Sequence, residues 1–421
     1  MPKLGLKLNL PQLVRATLMF ATSLFVHGAH ASQVQPPDVT IPSPAKGSLV
    51  IIGGNLLPDN AEVWQRIVAL AGGSGARIAV FPSASAYPAQ TGERIVERLT
   101  HYGADAFLVP LAVKLEGSDF RKVAEDETLT GAVRRAGGVF FAGGDQARIT
   151  EALIREDGSH SAMLDAVWDV YNRGGVVAGS SAGAAIMSST MFYAPNTVFA
   201  TLRSGVSDGK EIAPGLGFIG DDVFVDQHLL VRGRFARMIP AMLKKGYKIG
   251  LGIDENTAMV VDPKRRVEIL GHRGAILIDL TRATTESGSV GFNVSNAMIS
   301  YLDRGDQYDL ATRTFIPSKE KAGGKLDGYR SEVYHPVFSP DILGKNALVD
   351  LMEKLMNNRR SEGVGIAVGG PNDPQPELAF QFTFSKTADS VGYASSSAPS
   401  YSILNMRLDI HPIELGPAEP K

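Results

Sequence analysis

An α/β fold on a mainly parallel, doubly wound sheet is predicted by three observations. From Ser48 onward, short apolar runs alternate with amphipathic segments, the runs carry almost no polar residues, and glycine closes several of them. Strands buried on both faces of a parallel sheet have no solvated side, so they read as continuous apolar runs rather than as alternation.

The elements follow in order. SLVIIGG (48–54) reads as the first strand and AEVWQRIVALAG (61–72) as an amphipathic helix. ARIAVFPSAS (76–85) is the next strand, TGERIVERLTHYG (91–103) a helix, and ADAFLVPLAV (104–113) a third strand. A helix near Leu129–Ala136 leads into GVFFAGGDQ (138–146), after which GGVVAGSSAGAAIMSS (174–189) carries a strand into a helix. Such strand–helix alternation places the region in the α/β class. IPSKEKAGGKLDG (316–328) reads as a loop where the alternation stops, and AFQFTFSK and YSILNMRLDI then suggest antiparallel strands around one helix, Asp341–Asn357. The expected division is an α/β domain over 48–320 and a C-terminal α+β appendage over 321–421. No internal repeat is visible.

The first 47 residues have a different character. Lys3, Lys7 and Arg15 precede the apolar run ATLMFATSLFVHGA (16–29), and Ala29-His30-Ala31 offers small residues at the positions a signal peptidase reads. A cleaved signal peptide over 1–31 is expected, then a proline-rich flexible leader over 32–47, and hence a secreted, extracellular protein or one in transit through a periplasm. The apolar run is short for a membrane span. Removing residues 1–31 leaves 39 basic against 44 acidic residues, a mildly acidic chain that asks for no nucleic-acid partner. The chain has no cysteine. An exported fold must then be held by its core rather than by disulfides or thiolate-bound metal.

In doubly wound sheets, ligands meet the carboxyl ends of the strands. Four such ends carry notable residues: Gly53-Gly54, Gly143-Gly144-Asp145-Gln146, Ser180-Ser181 and Asp226-Gln227-His228. A strand-to-helix turn that exposes a nucleophile needs tiny residues two positions before and after it, the G-x-S-x-G pattern. Gly179-Ser180-Ser181-Ala182-Gly183 fits only with Ser181 at the centre. The Ala182 amide then becomes an oxyanion donor, with a second donor from a neighbouring loop, for which Gly144 is the candidate. Among the six histidines beyond residue 31, His228 is the one that ends a strand-like run inside the α/β region beside other polar residues. Its orienting carboxylate would be Glu255 in GIDENTAMVV, with Asp254 and Asp226 as rivals. The order Ser, His, Glu differs from the Ser, acid, His order of α/β-hydrolases. No histidine pair has the H-E-x-x-H spacing, and neither metal nor cofactor is expected.

GGDQ, GSSAGA, DQHLLVRGRFAR and GIDENTA, in this order over roughly residues 48–310, resemble the serine peptidase family of cyanophycinase and peptidase E, and its cyanophycinases more closely. The resemblance implies Ser181 as nucleophile, His228 as base and Glu255 as its orienter, with Gln146, Asp226, Gln227, Arg232, Arg234 and Arg237 lining the substrate pocket. It also implies a three-layer α/β/α sandwich like that of class I glutamine amidotransferases. The expected substrate is cyanophycin, multi-L-arginyl-poly-L-aspartate, cut through an acyl-enzyme to β-Asp-Arg dipeptides. Guanidinium forks suit its carboxylates. The alternatives are a peptidase E-like α-aspartyl dipeptidase and a non-catalytic polymer-binding protein. A homodimer is compatible with this reading, and no membrane partner is expected once the signal is removed.

Overall fold

The computed structural model describes residues 47–288, 291–326, 333–397 and 399–416. The expected signal peptide, and the leader up to residue 46, lie outside the described residues. Among those described, no helix is long and apolar enough to cross a membrane.

Five parallel strands form the heart of the first sheet: β1 (Ser48–Ile52), β2 (Arg77–Phe81), β3 (Asp105–Leu108), β4 (Gly138–Phe141) and β5 (Val176–Ser180). They lie side by side in the order β1-β5-β4-β2-β3, so the carboxyl ends of β1, β5 and β4 are neighbours. On its other side β1 pairs antiparallel with Thr257–Val261, and three further strands complete a nine-stranded sheet. Alternation along β1 serves two cores. Val50 and Ile52 pack with Trp64 and Ile67 of α1 (Ala61–Leu70) and Leu99 of α2 (Pro88–His101). Leu49 and Ile51 pack on the opposite face with Met163, Val167 and Val170 of the helix Ala162–Asn172. Both faces are covered, which is why these strands show no polar side in the sequence.

The molecule has a second large sheet, which joins strands expected in the doubly wound sheet to the antiparallel strands expected in the appendage. Val223–Gln227 is its edge strand, parallel to Ile249–Ile253, and Ala275–Asp279 and Val294–Leu302 follow antiparallel. The long strand Tyr401–Glu414 then pairs with Val294–Leu302, and Leu378–Ser385 and Glu362–Val368 extend the sheet beyond it. The boundary drawn at residue 320 therefore falls between strands of one continuous sheet. Phe380, Phe382, Phe384 and Met406 share a core with Phe235, Met238 and Ile276. Composition could not reveal this, because VFV and IGLGI are apolar runs like those of the first sheet, and which strand they hydrogen-bond to is decided at long range.

Residues 254–256 are the link along which the chain passes from Ile249–Ile253 in the second sheet to Thr257–Val261 in the first.

Candidate active site

The site is assembled from both sheets. Ser181 follows β5 of the first, His228 follows the edge strand of the second, and Glu255 lies on the link between them. Ser181 Oγ is 2.7 Å from His228 Nε2, and His228 Nδ1 is 2.6 Å from Glu255 Oε1. Asn55 Nδ2 donates to the second oxygen, Glu255 Oε2, at 3.3 Å. Of the acids the sequence left open beside Glu255, neither is hydrogen-bonded to the imidazole. Asp254 accepts from the amides of Leu230 and Val231 instead, and so props the loop that follows His228.

The backbone that holds this chain of bonds is the end of β1. The carbonyls of Ile52, Gly53 and Gly54 accept, in succession, the amides of Ser181 at 2.9 Å, His228 at 2.9 Å and Asn256 at 2.8 Å. Each of the three contributing loops is thus tied to one short segment. Side chains there would collide with what is being held: a Cβ on Gly53 would lie 2.0 Å from the Asp254 carbonyl oxygen, and one on Gly54 2.2 Å from His228 Cε1. Gly54 also has φ of 113°, a conformation that glycine alone adopts without cost.

The elbow is built the same way. A Cβ on Gly179 would lie 2.2 Å from the Gly183 carbonyl oxygen, and one on Gly183 2.4 Å from that of Phe141. Ser181 has φ 55° and ψ −107°, and His228 has φ 54°. Backbone held in such sparsely populated regions persists only where its surroundings over-determine it. Asn55 and Asn256 have φ of 46° and 53°, which asparagine tolerates better. The Gly143-Gly144 loop closes the other side, a Cβ on Gly143 falling 3.2 Å from that of Ser181. Ala182 opens the helix behind the serine.

Electrostatics favour a neutral imidazole. Burial pushes the His228 pKa down, the Glu255 hydrogen bond opposes this, and the charges of Arg232 and Arg234 push it down further, so the net shift is below the ordinary 6.5. Burial alone would raise Glu255, but its bond to His228, the His228 charge, Asn55 and Arg232 together hold it below the usual carboxylate range.

Residues 49–269 match Peptidase family S51. The chain belongs to peptidase family S51. This S51 peptidase is 31% identical over 296 residues to a cyanophycinase of Trichormus variabilis, covering 68% of this chain and 93% of that one. A cyanophycinase of Nostoc sp. matches to the same extent, and one of Synechococcus elongatus is 32% identical over 299 residues, 68% of this chain and 87% of that one.

The six pocket residues expected in this S51 peptidase part company in the structure. Arg237 and Asp226 are buried and bound to each other, Nε to Oδ2 at 2.7 Å and Nη2 to Oδ1 at 2.8 Å. The Arg237 guanidinium also lies 4.0 Å over the Phe192 ring. The Arg237 fork is filled by a carboxylate eleven residues away, on the strand that leads to His228. Arg234 donates to the carbonyl and side-chain oxygens of Gln227, and burial, first among several causes, lowers its pKa to about 10. Gln227 is buried, and Gln146 Nε2 donates to the Phe192 carbonyl at 2.7 Å. Arg232 remains exposed at the site's edge.

Sequence reasoning missed Asn55, Asn60 and Asn256. Asn60 caps α1 through Val63 N and donates to Asn256 Oδ1 at 2.8 Å, so the start of α1 is fixed to the residue after Glu255. The placement of Asn55 directly after Gly53-Gly54 was the only signal. Among the described residues no cluster of three or more histidines and carboxylates could hold a metal ion.

Proposed function

We propose that the protein is a secreted cyanophycinase that works through an acyl-enzyme. The observation that carries this is the chain of hydrogen bonds from Ser181 through His228 to Glu255, set on a strained, glycine-built turn in a chain whose relatives are named cyanophycinases. Ser181 Oγ attacks a backbone carbonyl of the polyaspartate chain while His228 Nε2 takes its proton. Glu255 holds the ring by Nδ1 and stabilises the imidazolium. The tetrahedral oxyanion is met by the amides of Ala182 and Gly144. As the C–N bond breaks, His228 returns the proton to the leaving amine. Water, deprotonated by the same histidine, then hydrolyses the ester and releases the acid and Ser181. The first sheet with its two helical layers corresponds in this reading to the sandwich of class I glutamine amidotransferases.

Mass analysis of products after incubating the purified protein with cyanophycin tests the proposal. β-Asp-Arg dipeptides are the expected product. Cleavage of Asp-X dipeptides with cyanophycin left intact would instead make it a peptidase E-like dipeptidase, and no turnover of either a polymer-binding protein. Secretion is tested separately by the N-terminus of the exported chain, expected to begin after Ala31.

A further inference from the structure

With the Arg237 fork filled and Arg234 bonded to Gln227, Arg232 alone of these three arginines is exposed, and the several carboxylates of an extended acidic substrate need further cations. A cleft of about 460 Å³ opens beside the nucleophile, with Asn55, Gly143 and Ser180 on one side and Arg94, Glu97 and Arg98 of α2 on the other. Arg94 and Arg98 are one helical turn apart and share a face, with Glu97 beside them. Arg94 is exposed, and its Nε donates only to the Gln90 carbonyl at 3.3 Å. Among the described residues, neither Arg98 nor Glu97 has a side-chain hydrogen bond or ion pair. The cleft thus presents two available guanidinium groups and one available carboxylate next to Ser181.

We infer that this cleft is a substrate subsite that binds the arginine side arm of a neighbouring cyanophycin unit, its α-carboxylate held by Arg94 and Arg98 and its guanidinium by Glu97. The inference rests on the cyanophycinase reading above and adds to it a specificity device on α2. One arm offers the complementary pair of charges, and guanidinium–carboxylate bonds are bidentate and directional. A substrate with a carboxylate but no guanidinium would satisfy only half of the cleft.

The test compares the full-length wild type with the double variant Arg94→Ala/Arg98→Ala on two soluble substrates. One is a short oligomer of β-Asp-Arg units; the other is the same oligomer with its arginine α-carboxylates converted to carboxamides. Arg94 is exposed, Arg98 is half-buried and, among the described residues, neither is bonded to another side chain, so the variant should keep the wild-type melting temperature. On the native oligomer its kcat/KM should fall roughly 10- to 100-fold, mostly through KM, as expected for lost charge-assisted hydrogen bonds. On the carboxamide the ratio of wild type to variant should shrink towards one. An unaffected variant on the native oligomer, or the same deficit on both substrates, would overturn the inference while leaving the cyanophycinase reading in place. A wild type that cleaves neither would overturn that reading, and this inference with it.

Discussion

The two sheets hold their parts of the site by opposite means. On the first, Ser181 is presented by removing side chains: Gly179 and Gly183 let the turn close on itself, and Gly53 and Gly54 let β1 accept hydrogen bonds from three loops. On the second, His228 is supported by buried charge: the Asp226–Arg237 pair ties the strand that leads to it to the helix that follows, and Asp254 binds the amides that follow it. Glycine-built placement is stiff and cheap in contacts, but it admits no Cβ. Charge-built placement tolerates volume but not the loss of one partner, because a lone buried charge is costly.

Removing Arg237 should therefore have the largest effect on stability. Arg237→Ala leaves the Asp226 carboxylate buried without its partner, and should cost about 3–5 kcal/mol in denaturant unfolding. Replacing both residues by apolar ones of similar volume should cost much less. If the single and double changes destabilise equally, the pair is not what supports this side.

A Cβ on Gly54 probes the other side. Gly54→Ala drives a methyl into the imidazole, and misplacement of the base should lower kcat by roughly 100-fold. An alanine variant with wild-type turnover would mean that the ring has room to move, and that the glycine is there for some other reason.

The smallest expected effect is on the pH profile. A general base must be neutral, so kcat/KM should be level above the His228 pKa and fall as pH drops through it. Because burial and two arginines lower that pKa, the midpoint should lie below about 6.5. A midpoint clearly above that value would show that Glu255 outweighs them.

The same contrast explains what was legible beforehand. The elbow could be read because its chemistry is local: five consecutive residues must be small, and only one register puts glycine on both sides of a serine. The parallel strands β1 to β5 were visible for a similar reason, each being an apolar run with its own punctuation. His228 and Glu255 were found as polar residues that end or interrupt such runs. The pairing of Arg237 with Asp226 was hidden, since a basic residue on a helix reads alike whether its fork faces substrate or a carboxylate on the preceding strand. The second sheet was hidden too. Val294–Leu302 and Tyr401–Glu414 are about a hundred residues apart, and nothing local says that they pair. Asn55, Asn60 and Asn256 look like ordinary turn and cap residues until the fold brings them around Glu255.

The central claim is that Ser181, activated across the two sheets by His228, is the nucleophile. Peptide mapping by mass spectrometry after reaction with a fluorophosphonate tests it most directly. The wild type and Ser180→Ala should carry one adduct, on Ser181. His228→Ala should react far more slowly, and Ser181→Ala should carry none at the elbow. An adduct on Ser180, or labelling of Ser181 that is indifferent to His228, would contradict the account.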